Sequence, residues 1–125
     1  MKLRIKGNTV RLRLTRSEVT TVGEGGRVQE IALFGPQAQF CYALEAVDTP
    51  QLEADYSNNT ITIRVPRAMA HDWATTELVG LSTEQKIAEN VSLYLIVEKD
   101  FACLSPRDEE DSDTFEHPQA GELTC

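Results

Sequence analysis

Lys2 to Lys6 alternates basic and apolar residues, and Val10 to Leu14 does the same, which is the period-two signature of a strand. Gly7-Asn8 between them predicts a two-residue hairpin turn, because both residues tolerate positive φ. The implied register sets Ile5 opposite Val10 and Leu3 opposite Leu12, so every apolar residue shares one face. Thr15 with Glu18 forms a capping-box pattern, Val19 and Val22 give a short apolar stripe, and Gly23 is positioned to stop the helix. Strands follow at about 27–34 and 38–46, joined through Gly35-Pro36-Gln37.

The same order recurs at an offset of 51 residues. Asn8–Arg16 overlays Asn59–Arg67 without a gap, with Asn8, Thr9, Arg13 and Arg16 falling on identical residues. Strand 51–56 is predicted to pair with 60–65 across Asn58-Asn59. Pro66 suits the start of a helix over 67–75, with Met69 and Trp73 on one face. A short strand near 78–81, a polar loop or turn of helix through Ser82–Asn90 and an apolar strand over 91–97 complete the second half. Carried outward at the same offset, Val28 falls on Val79, and Phe40, Tyr42, Leu44 and Ala46 fall on Val91, Leu93, Leu95 and Val97. The expectation is a single mostly β (α+β) domain over residues 1–104. It has two tandem strand-strand-helix-strand-strand units, about 1–47 and 51–98, closing a small barrel. Its expected core is Leu3, Ile5, Val10, Leu12, Leu14, Tyr42, Leu44, Ile61, Ile63, Val65, Met69, Trp73, Leu93 and Leu95.

Composition adds a tail. The 125-residue chain has 41% hydrophobic residues and a net charge of −8. Residues 1–16 hold six basic side chains and no acid, whereas residues 104–125 hold seven acids against Arg107 alone. Residues 105–125 therefore read as a flexible acidic tail with too little apolar surface to fold alone. No apolar run approaches the roughly 20 residues of a membrane helix. Three scattered cysteines form no secreted disulfide framework, so a cytoplasmic location is the expectation.

Residues 61–70, with Pro66 between an alternating strand and a short helix, resemble the AbrB/MazE-like swapped-hairpin proteins. The likeness covers about residues 60–80 directly, and Thr15 stands where the first half would need Pro. That resemblance implies an interleaved barrel, and two tandem copies would supply in one chain what a dimer supplies there. It also implies phosphate contacts from the hairpin arginines, which would nominate Arg4, Lys6, Arg11 and Arg13. The chain as a whole resembles a group of small bacterial proteins of unknown function that open with a KLRIKGN-like hairpin and carry Glu98-Lys99-Asp100-Phe101-Ala102-Cys103-Leu104.

The hairpin register brings Arg4 opposite Arg11 and Lys2 opposite Arg13, an unfavourable array that something anionic would relieve. DNA, the acidic tail, or acids of a neighbouring strand could each do so. The charge of −8, and Glu53 and Asp55 standing where the first half has Lys2 and Arg4, count against simple DNA recognition. Cys103, His117 and Cys125 are zinc- or iron-type ligands at a spacing that matches no compact motif. His71 reads as a surface residue and Cys41 as a small strand filler. No nucleophile–base set, phosphate loop or metalloprotease motif is present. The function expected is a non-enzymatic interaction or regulatory module, a monomer or weak homodimer, whose acidic tail engages a basic protein partner. The alternatives are a metal protein using Cys103, His117 and Cys125, or a DNA-binding regulator using the basic hairpin.

Overall fold

The computed structural model describes residues 1–101, and over these the fold is mostly β with two helices. Strands β1 (Lys2–Lys6) and β2 (Thr9–Leu14) form the first hairpin, followed by helix α1 (Arg16–Gly23) and the hairpin of β3 (Arg27–Gly35) and β4 (Ala38–Val47). The order then repeats with β5 (Glu53–Ser57), β6 (Thr60–Pro66), α2 (Arg67–Thr75), β7 (Gly80–Ala88) and β8 (Val91–Lys99). Gly7 turns the first hairpin at φ 55°, and Asn58 and Asn59 turn the third at 52° and 58°. These are left-handed conformations that Gly and Asn adopt most readily. The registers follow the alternation, with Ile5 opposite Val10, Arg4 opposite Arg11, Tyr56 opposite Ile61 and Glu53 opposite Arg64.

The strands form two four-stranded sheets, ordered β1-β2-β8-β7 and β3-β4-β6-β5, and not the closed barrel expected from the sequence. The first hairpin of each half joins the second hairpin of the other through the parallel pairs β2–β8 and β4–β6. Leu12 lies beside Val97 and Ile63 beside Leu44. The first hairpins therefore correspond at an offset of 51, but the second hairpins at 53, with one extra residue in α2 and one more between α2 and β7. Both second hairpins carry an irregularity at the matching place, the register skipping one residue between Leu33 and Gly35 and between Lys86 and Ala88. Such skips mark β-bulges, which bend the strand and re-aim the extra side chain.

Side chains stand where the sheet edges would have to pair to close a barrel. At one seam the Ala54 N–H donates to Gln85 Oε1 at 2.8 Å, and Gln85 Nε2 donates to the Ala54 carbonyl at 2.9 Å. At the other, the Met1 α-ammonium donates to Glu18 at 2.8 Å and to Glu30 of β3 at 3.3 Å. Tyr42 Oη donates to the Met1 carbonyl at 3.3 Å.

The inward faces supply one core. Leu12, Leu14, Leu44, Ile63, Val65, Trp73, Leu95 and Val97 are fully buried, each aliphatic among them contributing about 1.5–3 kcal/mol by leaving water. Trp73 also donates its indole N–H to the Val79 carbonyl at 3.1 Å. Leu3, Tyr42 and Leu93 pack against this core while partly exposed. Ile5 and Met69, both expected inside, are exposed. Ile5 sits near the open tip of an edge strand, and α2 turns Ala70 and Trp73 inward instead of Met69.

The capping box of α1 forms as expected, Thr15 and Glu18 each bonding the other's backbone N–H. Gly23 does not stop that helix; it is its last residue, and the left-handed glycine is Gly25 at φ 90°. Pro66 ends β6 and is the N-cap of α2. The segment read as a polar loop is most of β7, an edge strand whose Ser82, Glu84 and Lys86 face water.

Candidate interaction site

The pairing of β2 with β8 gathers the basic residues on the outward face of the first sheet. Arg4 and Lys6 project from β1, Arg11 and Arg13 from β2, and Lys86 from β7, with Tyr94 and Ile96 of β8 on the same face. The chain's own acids lie among them. Arg13 Nε donates to Glu98 Oε1 at 2.7 Å, and Arg11 Nε lies 3.7 Å from that same oxygen. Among the described residues, Arg11 Nε is buried with no hydrogen-bond partner. Lys2 pairs with Asp100 at 3.2 Å. Glu98 of the neighbouring strand and Asp100 just beyond it thus relieve part of the repulsion between Arg4 and Arg11 and between Lys2 and Arg13.

The outward face of the second sheet is different. Arg64 binds Glu53 at 3.4 Å and Asp55 at 2.5 Å, and Arg27 binds Glu45. The hydrogen bond that Arg64 donates to Asp55 leads the interactions that hold its guanidinium even more firmly protonated than usual. Cys41 is buried on this face, its Sγ 3.6 Å from Gln39 Nε2. His71 is exposed on α2.

At the Met1 seam, partial burial opposes the charged ammonium. The hydrogen bonds and charges of Glu18 and Glu30 outweigh it and raise the amine pKa above its ordinary range. Burial likewise pushes the Glu18 carboxyl up, but the ammonium and the Thr15 backbone prevail and hold it below its ordinary range. Burial, then the charges of Glu30 and Glu18, push the Tyr42 phenol up. These groups close a structural seam.

Among the described residues, cavities open at two opposite ends. The first, of about 450 Å³, lies between the sheets at the end carrying the hairpin turns. Ile5, Val10, Tyr56 and Ile61 line it from the first hairpins of the two halves, and Phe40, Ile87 and Leu93 from the second hairpins. The Phe40 ring centroid lies 6.3 Å from that of Tyr56. Gln85 reaches its wall, but its amide is already committed to Ala54. The bulge residues Phe34 and Ile87 are both exposed, and only Ile87 borders this cavity. The second cavity, about 570 Å³, lies by the helices and is lined by Arg16, Glu77, Lys99, Asp100 and Phe101 among apolar neighbours.

The hairpin-end cleft is hidden in the sequence, where Ile5 has the spacing of a core residue and Ile87 sits in a polar, loop-like stretch. The signal was Leu81, Thr83 and Gln85, a period-two run obscured by its polar members. Cys103, His117 and Cys125, the expected zinc or iron ligands, lie outside the described residues, as does the acidic tail. Among the described residues no cluster of three His, Cys, Asp or Glu side chains could hold a metal ion, and no helix is long and apolar enough to cross a membrane.

No curated protein and no solved structure matches the chain, and the AbrB/MazE-like likeness is not shown by these comparisons. A family model matches over residues 1–119, almost the entire length. The chain belongs to that family, described as a family of unknown function, DUF7009.

Proposed function

We propose that this protein is a non-enzymatic, cytoplasmic interaction module that engages a partner protein through the hairpin end of its two sheets. One observation carries the reading: Ile5, Tyr56 and Ile87 are 52, 63 and 54% exposed and border one apolar cleft. Soluble proteins seldom leave large contiguous apolar surface in water without a use for it, and aromatic residues in clefts are frequent anchors of interfaces. The acidic residues of the C-terminal segment add attraction toward a basic partner. The same reading takes the two halves as copies of one swapped-hairpin unit. Its support is the shared ladder pattern and the matching register skips.

Affinity capture with the full-length chain tests the proposal. A partner should be held by the parent and lost by a Tyr56→Asp, Ile87→Asp variant that keeps the parent circular dichroism spectrum. Equal capture by both proteins, or capture by neither, overturns it.

A second reading is anion binding on the outward face of the first sheet, favoured by Lys2, Arg4, Lys6, Arg11, Arg13 and Lys86 sharing that face.

A further inference from the structure

We propose that the outward basic face of the first sheet is the docking surface for this chain's own acidic segment, residues 108–116. The inference stands apart from the hairpin-end cleft, which lies between the sheets and not on this face.

Charge is the first argument. Among the described residues the face carries six cations against Glu84 and Glu98, with Asp100 at its edge, so its cations outnumber its acids. Asp108, Glu109, Glu110, Asp111, Asp113 and Glu116 supply six carboxylates with no base between them. Such complementarity favours association and also fixes where the segment lies.

The exit point of the chain is the second argument. The Asp100 N–H donates to the Leu14 carbonyl at 2.9 Å and the Asp100 carboxylate pairs with Lys2 at 3.2 Å. The chain therefore leaves the described residues beside the start of β1, the edge strand that carries Lys2, Arg4 and Lys6. The seven steps from Phe101 to Asp108 reach at most about 25 Å. The four steps of β1 from Lys2 to Lys6 cover about 13 Å. Every cation on the strand is within reach of Asp108–Asp111.

Tethering raises the local concentration of the acids to the millimolar range, so a free polyanion meets an occupied face. A basic partner of the acidic segment must likewise displace it from the chain's own cations. A basic strand in a chain of net charge −8 thus gains a resident counterion.

Zero-length carbodiimide coupling of the full-length chain, read by mass spectrometry, tests this. Amide links should form between Lys2 or Lys6 and residues 108–116 within one molecule, as assigned by mixing light and nitrogen-15-labelled protein. They should disappear at about 1 M salt, where the Debye length is about 3 Å. The Lys2–Asp100 pair provides an internal positive control. Absent links, or links only between different molecules, overturn the proposal. A full-length Asp108→Asn, Glu109→Gln, Glu110→Gln, Asp111→Asn variant should bind a heparin oligosaccharide at least ~10-fold more tightly than the parent; equal affinity also overturns it. The Tyr56→Asp, Ile87→Asp variant should retain the links, so this test fails or succeeds independently of the hairpin-end reading.

Discussion

A Cβ built on Gly23 of α1 would lie only 2.2 Å from the Cβ of Ala74 in α2. The two residues occupy matching positions of the two halves at the offset of 51. The helices therefore meet at a point where only one of the pair can carry a methyl group. The cause is steric packing and not backbone conformation, since Gly23 has an ordinary helical backbone.

Gly23→Ala should accordingly destabilise the protein by about 1–3 kcal/mol, the usual cost of overpacking a filled contact. Exchanging the pair, as Gly23→Ala with Ala74→Gly, should recover most of that loss, because one methyl again occupies the crossing. Urea midpoints of the three proteins decide the matter. A double variant no more stable than the single one would show that the contact is not the cause.

Gln85→Leu keeps the bulk of the side chain but removes both hydrogen bonds to Ala54. Ala54 is buried, so two backbone groups lose their partner and stability should fall by about 1–3 kcal/mol. Hydrogen exchange should quicken at Ala54 and its neighbours in β5 before it does in β6. A change below about 0.3 kcal/mol would mean water replaces the amide without penalty.

The Met1–Glu18 pair predicts a stability window with two limbs. The raised amine contributes fully below the ordinary α-amine value of about 8 and loses its contribution as pH climbs through the elevated folded value. The depressed Glu18 carboxyl contributes fully above the ordinary Glu value of about 4.3 and loses its contribution as pH falls through the lower folded value. Acetylating the α-amine should flatten the alkaline limb of urea midpoint against pH. If acetylated and free protein decline alike above pH 8, the ammonium is not holding the seam.

Trp73 is the single tryptophan of the chain and is fully buried. Its emission should be blue-shifted in the native state and move red at the same urea midpoint as the far-ultraviolet circular dichroism. Trp73→Phe leaves unfilled volume and removes the bond to the Val79 carbonyl, and should cost about 1–3 kcal/mol. Two separate transitions would instead divide the described residues into independent folding units.

Local chemistry was legible in the sequence, and long-range pairing was not. Gly7-Asn8 and Asn58-Asn59 specified the hairpin registers because turn geometry and alternation agree there. Thr15 with Glu18 specified the start of α1 for a similar reason. Nothing local could show that β2 pairs with β8 and β4 with β6, since their partners lie in the opposite half. β7 was obscured because an edge strand with one face in water reads like a loop, and Gln85 because an amide can replace a backbone partner. Of the candidate site, the basic hairpin was visible as composition. Its partial pairing with Glu98 and Asp100 depends on the parallel pairing of strands, and the apolar cleft depends on the sheets failing to close.

The exchange of hairpins between halves also constrains how the chain can fold. Neither half contains a complete sheet, because β1–β2 and β3–β4 do not pair with one another. A nascent chain that has emerged only to Val47 therefore holds two hairpins with no sheet between them, and isolated hairpins are marginal in water. The register joining Arg13 to Glu98 closes a loop that spans most of the described residues before it returns any stabilisation. Folding should thus be committed only after synthesis of β8, as a topology of long-range pairings implies.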